Sequence, residues 1–262
     1  MNLTDDQIRS IILRKKKAER KKKRIKRRFT FFIVILLLII IVAGCSLVKA
    51  LQPEDPPAKK VPKRNCRGII YIDPGHGGND PGAEYKGHRE KDDTLKLSLL
   101  VRDELENKGF KVKMSREKDI SIDRNKRSKK ANKVKAKLMI SIHRNRAENG
   151  NGAEAWIHSS DDPDDRKLAG NILNALDKAG LEKREVKTGT VIDPEDNYPE
   201  TRIPKMPSCI VETGFLTNDK DNAIFDKHTK KLAKAYANAI EKTYNSIYGK
   251  DDLVMVSKNS NK

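Results

Sequence analysis

Two histidines and a glutamate stand where short apolar runs stop. His76 follows Ile69-Ile70-Tyr71-Ile72-Asp73-Pro74-Gly75, His143 follows Leu138-Met139-Ile140-Ser141-Ile142, and Glu212 follows Cys209-Ile210-Val211. Runs rich in β-branched residues and bounded by turn formers read as buried strands. Pro74, Gly75, Gly77 and Gly78 let the chain turn sharply and leave His76 uncovered. Two imidazoles and a carboxylate make a donor set for hydrolytic zinc, which takes three protein ligands and keeps a fourth position for a water of pKa about 7. A second carboxylate, free of metal, would carry that water's proton to the leaving nitrogen. Residue type alone leaves open which of Asp73, Asp80, Glu84, Glu90, Asp92 and Glu212 serve in these two capacities. Neither H-E-x-x-H nor G-x-S-x-G occurs, so the common metalloprotease and serine hydrolase classes lose support.

These residues need a scaffold that brings strand ends together, and the pattern after Cys66 supplies one. Helices are expected from about Asp93 to Lys108, with Leu95, Leu99 and Leu105 on one side and Gly109 as the stop, over the basic stretch Asp123 to Lys137, and from Asp165 to Ala179, with Leu168, Ile172 and Leu176 inward and Gly180 closing. Phe110 to Met114 and Ala153 to His158 read as further strands, and a last helix runs from about Lys227 to Tyr244. Alternating strands and helices imply an α/β fold, a single mainly parallel sheet flanked by helices over residues 66–249, with 250–262 as an unstructured tail. In such sheets ligands gather at the carboxyl ends of the strands, where His76, His143 and Glu212 stand.

The front of the chain is not globular material. Residues 1–28 hold 13 Lys/Arg against Asp5, Asp6 and Glu19, a net of +10 out of +19 for the whole chain. Phe29 to Val48 follows, twenty mostly apolar residues without a charge, enough to span a bilayer as a helix with the basic flank cytoplasmic. The basic arm therefore reads as a topology signal and anionic-lipid contact, and nucleic acid is not expected as a partner. Thr4 with Gln7 makes a capping box, and Leu3 can staple onto Ile8, so the arm can be helical, with Ile8, Ile11 and Ile12 on one face toward the inner leaflet. Val42-Ala43-Gly44-Cys45 resembles the lipobox of bacterial lipoproteins, which leaves two readings: an uncleaved transmembrane anchor, or a signal segment with lipidation at Cys45. Either way the remainder is tethered on the outer, cell-wall side of the membrane. Residues 49–65, with Pro53, Pro56, Pro57 and Pro62, suit an extended spacer.

Four ordered blocks carry a family resemblance: Ile72-Asp73-Pro74-Gly75-His76-Gly77-Gly78-Asn79-Asp80-Pro81-Gly82-Ala83, Glu90-Lys91-Asp92, Ser141-Ile142-His143-Arg144-Asn145, and Val211-Glu212-Thr213-Gly214-Phe215-Leu216-Thr217-Asn218. Over about residues 69–247 the chain resembles the zinc-dependent N-acetylmuramoyl-L-alanine amidases of bacterial cell walls, and Arg116, Asp119, Arg127, Ala131 and Asn132 fall where that family places similar residues. The resemblance implies Zn²⁺ held by His76, Glu90 and His143, with Glu212 as the catalytic carboxylate. It also implies peptidoglycan as substrate and hydrolysis of the amide between the lactyl group of N-acetylmuramic acid and L-alanine. His88 is the competitor of Glu90 for the third ligand position, while His158 and His228 have no counterpart in the resemblance. Two other classes stay in view: a non-catalytic wall-binding module of the same fold, and a zinc peptidase cutting within stem peptides.

The chain departs from the family pattern at two places. Arg144-Asn145-Arg146 carries two guanidiniums where small residues are usual, and they are expected, with Asn145, to bind stem-peptide carboxylates. The segment from Asp193 to Arg202 is long and precedes the Glu212 strand, so it is expected to wall the substrate groove. The short link between His158 and Asp165 leaves no room for the occluding helix that some members insert, so control would come from the tether or a protein partner. Cys66 and Cys209 both precede strands and are weighed as a disulfide pair in an oxidising compartment.

Overall fold

The computed structural model describes residues 67–259. The basic arm, the apolar segment 29–48 with Cys45, the proline-rich spacer and Cys66 lie outside the described residues. Among the described residues no helix is long and apolar enough to cross a membrane.

The element order is β1 (Arg67–Pro74), β2 (Glu84–Tyr85), β3 (His88–Arg89), α1 (Glu90–Asn107), β4 (Phe110–Met114), α2 (Arg124–Lys133), β5 (Leu138–Asn145), β6 (Ala153–Ile157), α3 (Pro163–Ala179), β7 (Lys183–Thr188), α4 (Pro199–Arg202), β8 (Ser208–Phe215) and α5 (Asp219–Asn259). Six strands form one sheet in the order β4-β1-β5-β8-β6-β7, and β2 pairs with β3 in a small hairpin. β4, β1, β5 and β8 run parallel, but β6 is antiparallel to β8 and carries β7 parallel to itself. The sheet is therefore mixed, and its reversed edge has a consequence for the histidines. The C-terminal end of β6 points away from the other strand ends, so His158 leaves the sheet at the opposite edge, while Glu154, at the start of β6, lies beside Glu212.

Alternation along the strands sends odd and even residues to opposite faces. Ile70, Ile72, Leu138, Ile140, Ile142, Cys209 and Val211 face a large core made with α1, α3 and α5. On α1 the buried stripe is Leu97, Val101 and Leu105, whereas Leu95 and Leu99 are only half-buried. The helix begins at Glu90, three residues before the expected start, which shifts the inward face. On α3 the expected Leu168, Ile172 and Leu176 are all fully buried, and Gly180 closes the helix at φ +116. The opposite face of the sheet carries a much smaller cluster, Tyr71 and Met139 against Ala131 of α2 and Ala136.

One strand escaped the sequence reading, and one expectation is corrected. β7, Lys183–Thr188, is a strand whose polar sequence hides it, because an edge strand with half-exposed faces lacks an apolar run. α5 starts at Asp219, and His228 (φ −128, ψ 21) kinks it next to the expected start at Lys227; the helix then continues to Asn259, where an unstructured tail was expected. Cys209 is a free, buried thiol.

Candidate active site

The His76 turn is held by its glycines and by two arginines. His76 itself adopts φ +59, followed by Gly77 at +124 and Gly78 at +62, a left-handed run that costs a non-glycine residue energy and needs external support. Arg127 donates to the carbonyls of Pro74 (2.6 Å) and His76 (2.6 Å) and pairs with the buried Asp73 (3.0 Å). Arg116 donates to the carbonyls of Gly75 (2.7 Å) and Pro74 (3.2 Å). Gly75 must lack a side chain because a Cβ there would sit 2.4 Å from the His143 ring.

Glu90 opens α1, so its side chain lies just beyond the ends of β1 and β5. One of its oxygens, Oε1, stands 2.9 Å from His143 Nδ1 and 3.0 Å from His76 Nε2, and also accepts from the Arg144 N–H at 3.1 Å. Its other oxygen accepts from the Ala83 N–H at 2.9 Å. The ligand atoms of His76, Glu90 and His143 all lie within 4.8 Å of one another. Donors at about 2.0–2.1 Å from a tetrahedral Zn²⁺ sit about 3.3 Å apart, so the three fit an ion of that size with a small opening of the cluster. His76 Nδ1 faces Asp80 Oδ2 at 2.8 Å, which fixes the ring so that Nε2 points into the cluster. Burial works against charge on Glu90, but the hydrogen bonds of His143 and His76 win and hold its carboxyl well below the usual range. Burial likewise opposes charge on His143, yet Glu90 pushes its pKa up to about 9. The cluster thus keeps its carboxylate ionised and favours positive charge among the three groups. His88 instead turns to Asp93 (3.0 Å) and Asp226 (3.5 Å), outside the cluster.

Glu212 pairs in register with His143 on β5 and with Glu154 on β6. Burial pushes its carboxyl well above the ordinary range, and the nearby charges of Glu90 and Glu154 add to this against His143 and His76. Its Oε2 is buried without a hydrogen-bond partner. A carboxyl poised between protonation states, with a free oxygen beside a three-donor cluster, is what a proton shuttle requires.

The cluster opens into a cleft of about 420 Å³ that Asp80, Arg146, Trp156, Tyr198, Ile210 and Glu212 help to line. The expected wall is present: Tyr198 and Glu200 come from the segment between β7 and β8, and Arg124 of α2 clamps Glu200 through Nε (2.9 Å) and Nη2 (2.6 Å). Asn145 lies at the cleft, its amide donating to Glu154 Oε1 at 2.7 Å. Arg144 requires a correction. Next to His143 on a strand, it points to the opposite face of the sheet, where its guanidinium is buried, pairs with Asp93 (2.5 Å), donates to Asn222 (2.6 Å) and lies over Phe225. It is a core cation and does not reach substrate. Arg146, past the strand end, is exposed at the cleft.

Residues 70–242 match the family model described as N-acetylmuramoyl-L-alanine amidase. The sporulation-specific N-acetylmuramoyl-L-alanine amidase of Bacillus subtilis is 31% identical over 188 residues, 67% of this chain and 68% of that one. The chain belongs to the N-acetylmuramoyl-L-alanine amidase family. Among solved members, the N-acetylmuramoyl-L-alanine amidase of Clostridium difficile 630 matches with a TM-score of 0.62 at 29% identity, covering 68% of this chain and 97% of that one. The CwlD amidase of Clostridioides difficile, solved in complex with the GerS lipoprotein, matches with a TM-score of 0.57 at 28% identity, covering 69% of this chain and all of that one. For an amidase of this family the surrounding shell matters as much as the cluster, and reading the sequence missed most of it. Glu154 and Glu200 were ordinary surface acids by their neighbours in sequence, and Asp80 was one of six candidate carboxylates. Only Asp80 carried a usable signal, its place four residues after His76 in the same turn.

Proposed function

We propose that this chain is a zinc-dependent N-acetylmuramoyl-L-alanine amidase that hydrolyses peptidoglycan while tethered to the outer face of the cell membrane. The observation that supports this most is the cluster of His76, Glu90 and His143 with the unpartnered Glu212 oxygen beside it. His76, Glu90 and His143 would hold the ion. Zn²⁺ bound there would polarise the lactyl carbonyl and lower the pKa of a bound water to about 7. Glu212 takes a proton from the attacking water and delivers it to the departing nitrogen of L-alanine, which leaves as the amine while the lactyl group leaves as a carboxylate. Its raised pKa suits both halves of that transfer, because the group neither holds nor sheds the proton too strongly. Asn145, fixed by Glu154, and Arg146 stand at the rim where the stem peptide would emerge, and Arg146 suits a peptide carboxylate there.

The tether reading rests on residues 1–48, a basic arm followed by twenty apolar residues with Cys45 near their end. Only five residues separate β6 from α3, so no insert shields the cleft at that point. Control by the tether or by a protein partner suits this open cleft, and CwlD is a member of the family solved with a lipoprotein. Mass spectrometry of peptidoglycan digested with and without chelator tests the activity: new L-alanine amino ends should appear only when metal is present. New amino ends within the stem peptide would replace the reading with a peptidase.

A further inference from the structure

The face of the sheet that carries His143 is covered unevenly. α2 rests on β1 and β5 through Ala131, Tyr71 and Met139, while farther along, across Ile210 and Trp156, the sheet opens into the cleft. Glu154 pairs with Glu212, and Trp156 pairs with Ile210, so Trp156 lies two residues, about 7 Å, inward from the catalytic carboxylate along the strand. It is the chain's single tryptophan.

Trp156 belongs to a row. Its ring meets Tyr198 edge-on at 5.9 Å and 89°. Lys187 Nζ stands 5.0 Å from the Trp156 ring centroid, and the Arg124 guanidinium 5.4 Å from that of Tyr198. Each cation is neutralised by a buried carboxylate, Lys187 by Glu154 at 3.1 Å and Arg124 by Glu200 at 2.6 Å. The Tyr198 hydroxyl accepts from the Val191 N–H at 3.1 Å, tying the row to a loop tip on which Ile192 is 93% exposed. The outcome is an aromatic wall in a polar cleft, set by ion pairs at both ends, with Glu154 shared between Lys187 and Arg184.

The two sides of the scissile amide differ in chemistry. One is a neutral chain of N-acetylated amino sugars, with apolar C–H faces and a polar rim; the other is a peptide that carries carboxylates. Amphipathic rings with one apolar face suit aromatic side chains at wet surfaces. The cations at the wall are already taken up by Glu154 and Glu200 and leave no free partner there for a peptide carboxylate, whereas the Arg146 side chain, exposed at the other end of the cleft, has no hydrogen bond or ion pair among the described residues. We propose that Trp156 and Tyr198 form the glycan subsite, seating an N-acetylhexosamine ring of the strand while the stem peptide leaves toward Arg146. The proposal rests on the amidase reading and adds the direction in which the substrate lies.

The single tryptophan makes the test direct. In the full-length chain carrying Glu212→Gln, held in detergent micelles, Trp156 emission is titrated with chitotetraose, a peptide-free N-acetylhexosamine chain, and separately with the free stem tripeptide. Saturable quenching or a blue shift with the sugar and none with the peptide is expected. A response to the peptide alone, or to neither probe, overturns the proposal. Tyr198→Ala should weaken the sugar response about three- to tenfold with an unchanged melting temperature. Trp156→Phe should raise KM on glycan strands by a similar factor; an unchanged KM also overturns it. Failure of the amidase reading would show separately, as missing L-alanine amino ends in the wild-type digest.

Discussion

The two faces of the central sheet solve different problems. The face under α1, α3 and α5 is sealed by aliphatic side chains, and the cation it takes in, Arg144, is held by Asp93 and Asn222. The other face has a four-residue apolar cluster, the buried pair Arg127–Asp73, two buried carboxylates paired with more exposed cations, and an open cleft. Burial of apolar area, at about 25 cal/mol per Å², makes the first face the source of stability. The second gives up coverage so that His143, Glu212 and Trp156 can meet a ligand, and arginines anchored on backbone carbonyls replace the missing hydrophobic contacts. Function is therefore located on the face that contributes less to holding the fold together.

The sharpest way to break this division is to alter one residue on each face and measure both activity and stability. Glu212→Gln removes the proton shuttle and should lower the hydrolysis rate about 10³-fold, with a melting temperature equal to or above wild type, since a buried carboxyl that resists ionisation is relieved of its charge. Amino-end release and a thermal scan on the same preparation check both. Arg144→Ala should do the reverse, destabilising by about 3 kcal/mol because Asp93 loses its guanidinium and keeps only His88. Denaturant unfolding measures this. KM on carboxylate-bearing and amidated muropeptides should stay equal to wild type, whereas Arg146→Ala should raise it more on the former.

Asp80→Asn sharpens the comparison within the site. It weakens the acceptor that orients His76, and zinc affinity should fall about 10- to 100-fold without loss of secondary structure, as read by competition with a chromophoric chelator. The last test belongs to the sealed face. Burial raises the Asp165 pKa from 3.8 to about 6 against the opposing hydrogen bond from the Ser208 N–H. The folded protein therefore holds this proton where the unfolded chain has released it, so the contribution of Asp165 to stability is fully present below about pH 4 and is lost as pH rises through 6. Asp165→Asn keeps an acceptor for Ser208 and should flatten the melting-temperature profile between pH 4 and 6, a change of at most about 3 kcal/mol.

Much of this was legible before any coordinates. Apolar runs ending in His76, His143 and Glu212 declared strands delivering polar groups to one edge, because a buried strand needs continuous apolar residues whatever its neighbours are. Glu90 was reachable only by resemblance, since its charged neighbours look like any solvated helix start. Arg144 was misread although the rule was available: successive residues of a strand face opposite ways, and His143 had already claimed the cleft side. The reversed direction of β6, which brings Glu154 to Glu212 and takes His158 away, is a property of strand order, and a five-residue strand spells the same in either direction.

The sequence by itself determined the kind of chemistry and the residues that end the strands, because local patterning fixes strands, turns and helices one segment at a time. Only the tertiary structure decided which acids surround the cluster, which arginine is structural, and that Trp156 and Tyr198 meet beside it. Those facts depend on contacts between residues 14 to 76 positions apart, from His76 with Glu90 to Arg124 with Glu200, and pairings across such distances leave no periodicity along the chain.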